Sequence, residues 1–151
     1  MSEDRRTRLL QIVLFGSAAA LSFAFVAAWI PESWIDAGHR AIGFGGIPAT
    51  PVFEYLARSI AMLYGLHGVL AFLIARDVRR YPLIVRYVGG FDLVFGVAIT
   101  VIDIDAGMPL PWILLEGPPT AGVGLIVLLL SRGLGGGSPA GPEAPRSHLR
   151  T

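Results

Sequence analysis

Four long stretches of the chain are almost unbroken runs of apolar residues, and the polar residues gather between them. The runs cover residues 9–30, 53–75, 81–102 and 110–131. A hydrocarbon layer of about 30 Å is crossed by roughly 20 apolar residues in a helix, the element that satisfies its whole backbone internally. Each run has that length. The pattern therefore predicts an all-α integral membrane protein, a bundle of four transmembrane helices over residues 9–131, with a polar N-terminus at residues 1–8. The first run also has features of a cleavable signal peptide, since Arg5, Arg6 and Arg8 precede it and Val26-Ala27-Ala28 has small residues at a cleavage spacing. Its 22 residues exceed the usual apolar region of about 7–15, which favours a span.

The arginines predict the orientation, because basic residues in short loops stay on the cytoplasmic side. Arg5, Arg6 and Arg8 precede the first span, Arg76, Arg79 and Arg80 separate the second from the third, and Arg132, Arg146 and Arg150 follow the fourth. Arg40 alone lies in an opposite loop, while Arg58 and Arg86 fall within spans. Both termini are expected in the cytoplasm of a bacterial cell, the protein in its cytoplasmic (inner) membrane, and the loops with Glu32, Asp36, Asp103 and Asp105 outside. The short 76–80 connection makes spans two and three an antiparallel hairpin. In residues 31–43 Trp34, Ile35, Ala41 and Ile42 fall on one helical stripe, with Glu32, Asp36, His39 and Arg40 elsewhere. That stripe suggests a short interfacial helix, ended by Gly43, Gly45, Gly46 and Pro48, with an irregular loop as the alternative. Residues 132–151, rich in Gly, Pro and Ser without a period, read as a disordered tail.

Composition narrows the chemistry. The 151 residues are 54% hydrophobic and 15% charged, with a mean hydropathy of +0.64, against about 25% charge in soluble domains. No cysteine occurs, which excludes disulfides, thiolate metal sites, iron–sulfur clusters and cysteine nucleophiles. All 12 basic residues are Arg and the net charge is +1, so no Lys can form a Schiff base or a phosphate-loop cation, and nothing favours a nucleic acid. His67 is the sole histidine within a span, His39 and His148 lying outside, so haem held by two histidines would require a homodimer. The glycines at Gly43, Gly45 and Gly46 lack the spacing and the preceding strand of a dinucleotide site. No catalytic residue, metal site or complete enzyme is expected in this chain.

Helices associate in lipid where small residues let backbones approach. Gly16, Ala20, Ala24 and Ala28 form such a face on the first span and Ala57, Ala61 and Gly65 on the second, and these faces are expected to meet. Ionisable side chains within spans, each costing at least about 2.5–3.5 kcal/mol at the membrane centre, mark places with a partner or a task. Glu54 and Arg58 have the spacing of a helical ion pair. Arg58 and Glu116 lie at the same depth, roughly 8–9 Å from the outer ends of their helices, which predicts a Glu54–Arg58–Glu116 cluster. Pro118 and Pro119 cannot donate backbone hydrogen bonds, so a kink is expected there, with Arg58 reaching the freed carbonyls of Leu114 and Leu115. The cluster reads as a packing pin or as a pocket for a small polar ligand or lipid headgroup. Deeper, His67 and Asp92 lie roughly 12 and 17 Å from the inner surface. They are placed to interact, as a proton or ion path or as a buried contact fixing helix register, with Tyr64 and Thr100 as alternative partners. Arg86 can snorkel to the cytoplasmic surface.

Four short stretches together carry a resemblance: Glu54-Tyr55-Leu56-Ala57-Arg58-Ser59, Arg76-Asp77-Val78-Arg79-Arg80-Tyr81, Gly107-Met108-Pro109 and Glu116-Gly117-Pro118. They resemble small four-helix bacterial membrane proteins loosely similar to the BphX-like and DoxX-like families, over residues 54–119. DoxX-like proteins include accessory subunits of quinone-reducing oxidoreductases, so the resemblance implies a quinone-linked role, although the chain has no quinone or flavin motif of its own. The leading expectation is a non-catalytic subunit or partner-binding module without a cofactor, in the bilayer as a homo-oligomer or within a larger membrane complex. The alternatives are a proton- or ion-coupled carrier using Asp92 and His67, and the quinone-linked accessory subunit.

Overall fold

The computed structural model describes residues 2–43, 45–48 and 50–134, and within them every regular element is a helix. The helices are α1 (Glu3–Ser22), α2 (Ala24–Ala27), α3 (Glu32–Ala41), α4 (Pro51–Ala75), α5 (Pro82–Asp105) and α6 (Leu110–Ser131). Four of these units, with α2 continuing α1, are long and apolar enough to cross a membrane. The chain is a multi-pass membrane protein.

The first helix starts six residues before the apolar run, at Glu3. Glu3 and Asp4 in its first turn face the positive end of the helix dipole, which extends the helix into the polar terminus. At Phe23 the ladder tightens, with Val26 N–H donating to the Phe23 carbonyl at 3.0 Å, and residues beyond Ala28 leave the helix before Pro31. Pro51 and Pro82 sit in the first turns of α4 and α5, where a missing N–H costs nothing. Thr50 caps α4, its hydroxyl accepting from Phe53 N–H at 3.3 Å. The third span is longer than its apolar run, because α5 continues through Asp105.

Residues 31–43 do hold a helix, α3, with Trp34 69% exposed on it. Its loop closes on Asp36, which accepts from Arg40 Nε at 2.8 Å and from the Ile47 amide at 2.9 Å. These two bonds, Arg40 first, hold the Asp36 carboxyl below the ordinary aspartate range. His39 meets the ring of Phe53 edge-on.

In space the bundle runs α4, α1, α6, α5: α1 packs on α4 and touches α6, and α5 packs most extensively on α6. Although α4 and α5 are joined by a short turn, their backbones scarcely approach. Asp4 binds Arg79 Nη2 at 2.7 Å, and Arg6 Nη2 donates to the Leu129 carbonyl at 2.9 Å, which tie the start of α1 to the α4–α5 turn and to the end of α6. This end of the bundle, called here the terminal end, holds the continuous core: Leu10, Leu14, Ile74, Ala75, Val78, Val85, Val88, Val127 and Leu134. The opposite end carries α3.

The α1–α4 contact differs from the expected small-on-small meeting. On α4 the buried residues include Ala61, Gly65, Gly68 and Ala71, but on α1 they are Leu10, Leu14 and Ala18; of the expected face Gly16 and Ala20 are exposed, Ala24 is half-buried and only Ala28 is buried. The Phe25 ring sits over Gly65, where a Cβ would come within 2.6 Å of it, and Ser22 sits over Gly68. Phe25 thus fills the hole left at Gly65, while at Gly68 the backbones of Ala18 and Ser22 approach α4 directly, so the close contact of small residues forms through Ala18 and Ser22 rather than through Gly16 and Ala20. Glycine meets backbone more extensively between α5 and α6. Gly89 and Gly96 on α5, and Gly117 and Gly124 on α6, recur at seven-residue intervals. A Cβ at Gly96 would strike Ala121 N and one at Gly124 would strike Leu93 N, so the two backbones are in direct contact.

Residues 132–134 do not begin a disordered tail. The chain turns at Gly133, whose φ is +96°, and Leu134 enters the core while its carbonyl accepts from Arg86 Nη2 at 2.6 Å. An apolar residue three beyond the helix gains by burial what the Gly turn allows. The remainder of the expected tail, residues 135–151, lies outside the described residues.

Candidate functional site: the seam between α4 and α5

The glycine-lined α5–α6 contact rotates α5 so that Asp92, three residues beyond Gly89, turns into the bundle, where it is 4% exposed. Asp92 Oδ1 lies 2.9 Å from His67 Nε2 of α4. A histidine at this distance either donates to the carboxylate or accepts from the carboxylic acid, the roles depending on its tautomer. His67 is flanked by the Phe91 ring at 5.2 Å, and Phe91 stacks on Phe95 at 5.6 Å. These rings lower the local polarity and make each uncompensated charge costlier.

One turn nearer the α3 end, Tyr64 of α4 touches Phe95 edge-on and donates to Glu116 Oε1 of α6 at 3.0 Å. The side chains of Tyr64 and His67 therefore reach across a seam that the backbones leave open. Beyond them Asp103 is 5% exposed, and its Oδ2 has no hydrogen-bond partner among the described residues. It lies within electrostatic reach of Tyr64. Asp103 belongs to α5 rather than to a loop, since the helix outruns the apolar pattern that was used to end it. The signal lay in the stripe Val85, Val88, Gly89, Asp92, Gly96 and Asp103, all buried at helical spacing.

The expected Glu54–Arg58–Glu116 cluster does not assemble as one unit. Arg58 Nη2 pairs with Glu54 Oε1 at 2.9 Å, but its second contact is Nη1 to the Ala28 carbonyl at 2.6 Å, at the end of α2. Glu116 turns to Tyr64 instead. Equal depth fixed the level of Arg58 and Glu116 along their helices and left open the direction in which each points. Nor does Arg58 serve the carbonyls near Pro118 and Pro119. The helix α6 runs through both prolines from Leu110 to Ser131; Leu114 and Leu115, whose carbonyls lose their donors, are exposed. Thr120 Oγ1 donates to the Glu116 carbonyl at 2.7 Å and supports that turn.

Among the described residues no group of three or more His, Asp or Glu side chains is placed to hold a metal ion. Compared with family models, with curated proteins and with solved structures, the chain matches none. What the seam offers on its own atoms is two polar contacts, His67–Asp92 and Tyr64–Glu116, and an unpartnered carboxylate oxygen at Asp103, within helices long enough to span a membrane.

Proposed function

We propose that the protein is a proton-coupled membrane carrier whose working group is Asp92, with His67 as the partner that gives and receives its proton. The observation that carries this reading is the 2.9 Å His67–Asp92 contact across helices whose backbones scarcely meet. An ionisable side chain deep in a spanning helix is costly, and retaining one is a mark of ion or proton movement. Because the seam is bridged by side chains rather than by backbone packing, the protonation state of this pair sets how strongly α4 and α5 are held together. With His67 neutral and Asp92 ionised the pair carries one uncompensated negative charge, which in an apolar setting favours an open, hydrated seam. Uptake of one proton from water makes the pair neutral overall and lets the seam close around its hydrogen bond. Proton release is in this way coupled to opening of the seam, which is the event a carrier needs to expose a solute site.

The arginine distribution supports a bacterial cytoplasmic membrane with both termini in the cytoplasm, which puts the α3 end outside. Tyr64, Glu116 and Asp103 would then lie between the outer surface and the His67–Asp92 pair. The experiment is proton uptake by vesicles containing the purified protein under an imposed pH gradient. The wild type is expected to dissipate the gradient faster than empty vesicles, and Asp92→Asn to be indistinguishable from them. Equal rates for all three samples would remove the carrier reading.

A second reading, a non-catalytic subunit or partner-binding module, draws on a different observation. Gly16 has open space where its Cβ would be, and Ala20 one turn on is exposed, so a small-residue face of α1 remains uncovered. Purification in mild detergent separates the readings: a second polypeptide that is lost on Gly16→Leu supports the module, and a co-purifying quinone would give it the redox role that the family resemblance implies.

A further inference from the structure

The terminal end of the bundle has a cavity of about 220 Å³ between the start of α1 and the end of α6, lined by Glu3, Arg6, Thr7, Leu130, Arg132 and Leu134 with Gly133. We infer that this cavity binds the phosphate of an anionic phospholipid headgroup, with Arg6, Thr7 and Arg132 as its donors.

Three features of the cavity support this. Its donors are those that recognise a phosphodiester: two guanidinium groups, whose planar forks match phosphate oxygens, and a hydroxyl. Arg6 is already oriented, its Nη2 held by the Leu129 carbonyl at 2.9 Å, while its Nε is buried and has no hydrogen-bond partner among the described residues. A buried donor on an ordered cation calls for an acceptor. Arg132 at the end of α6 makes no hydrogen bond or ion pair within the described residues, in contrast to Arg79, which Asp4 neutralises at 2.7 Å.

Position and size agree with a lipid headgroup. The apolar stretches of α1 and α6 begin at Leu9 and end at Ser131. Arg6, Thr7 and Arg132 therefore stand within one helical turn of the hydrocarbon edge, at the level of phosphates. The cavity is smaller than the roughly 300–1,000 Å³ of a pocket for a drug-sized molecule, which suits a small charged group whose tails remain in the bilayer. The surroundings add a field of the right sign. Of the described side chains at this end, Arg5, Arg6, Arg8, Arg76, Arg79, Arg80, Arg86 and Arg132 are basic, against Glu3, Asp4 and Asp77. Glu3 at the cavity rim opposes an anion and sets a preference for a phosphodiester over a more highly charged group.

The test is thermal unfolding of the full-length protein in detergent, with added short-chain phosphatidylglycerol, short-chain phosphatidylcholine, or glycerol phosphate. Phosphatidylglycerol is expected to raise the midpoint more than phosphatidylcholine does. Arg132→Gln, which removes one charge-assisted contact, is expected to weaken that response about tenfold in lipid concentration. Arg76→Gln takes the same charge from the same end but not from the cavity and should leave the response near wild type. Thr7→Val gives a second variant that alters the cavity without changing charge, with a smaller weakening expected. If glycerol phosphate matches phosphatidylglycerol, the same donors serve a free phosphate. Equal responses to phosphatidylglycerol and phosphatidylcholine, or equal losses in Arg132→Gln and Arg76→Gln, would overturn the site.

Discussion

His67 of α4 and Asp92 of α5 meet at 2.9 Å although the two helices that carry them, neighbours in the chain, are held apart at the backbone. The contact is therefore a bridge and not a by-product of close packing, and its removal should be felt at that seam. A double-mutant cycle with His67→Ala and Asp92→Ala is expected to give a coupling of roughly 0.6–1.7 kcal/mol, the range of polar contacts between membrane helices. Unfolding in mixed micelles measures it. Asp92→Asn, which keeps an acceptor for His67, should cost less than Asp92→Ala; additive single effects would mean that the pair holds nothing together.

The α5–α6 contact makes the opposite kind of prediction, since there the backbones touch. Gly96→Val and Gly124→Val introduce side chains where Ala121 N and Leu93 N already stand, and each should destabilise by about 1–3 kcal/mol or more. Gly16→Ala and Gly90→Ala meet nothing within 4 Å and should be neutral or stabilising by up to about 1 kcal/mol, the helix-propensity difference. Thermal unfolding of the four variants distinguishes the close contact from the open surfaces.

Much of this fold could be read from the sequence because bilayer thickness imposes a length on each apolar run. The α6 helix coincides with its run, and α3 follows from the stripe of Trp34, Ile35, Ala41 and Ile42. Helical rise puts His67 and Asp92 roughly 5 Å apart in depth, close enough for side chains to meet, and in the structure they are in contact at 2.9 Å. Depth carries no direction around the helix axis, however, and that is why Glu116 was paired with Arg58 rather than with Tyr64. Asp103 falls in a loop by the hydropathy pattern for a related reason: hydropathy ends a helix at the first charges, while the backbone of α5 continues past them. The glycine pairs at 89/96 and 117/124 form a legible seven-residue repeat, whereas the four-residue spacing of small residues on α1 marks a face whose Gly16 and Ala20 stay exposed.

Tyr64 and Glu116 allow a test of the second bridge. Tyr64→Phe removes the donor to Glu116 Oε1 and leaves a carboxylate without its partner inside the bundle, at an expected cost of about 1–3 kcal/mol. Adding Glu116→Leu should recover most of it, since replacing both partners by apolar groups is close to neutral. Denaturation of the single and double variants provides the comparison; a further loss in the double variant would show that Glu116 has a stabilising contact other than Tyr64.

At the α3 end, pH should act through Asp36. Its carboxyl is held below the ordinary aspartate range by Arg40 and then by the Ile47 amide, so its contribution is complete above the unfolded value of about 3.9 and is lost as pH falls through the lower folded value. The Ile47 amide resonance in a nuclear magnetic resonance titration should report this loss in acid. Asp36→Asn should abolish the acid step, and a step that survives it would assign the titration to another group.

The most direct test of the account is carbodiimide labelling of the full-length protein, followed by peptide mass spectrometry. An apolar carbodiimide modifies a protonated carboxyl in a low-polarity setting, so a carboxyl that exchanges protons with water becomes labelled in acid and is protected as pH rises. The account predicts that Asp92 is labelled with that pH dependence, and that His67→Gln, which removes the exchange partner, alters it. An Asp92 that stays unlabelled at every pH, or is labelled to the same extent at all of them, would contradict a proton-exchanging seam and leave His67–Asp92 as a fixed contact between two helices.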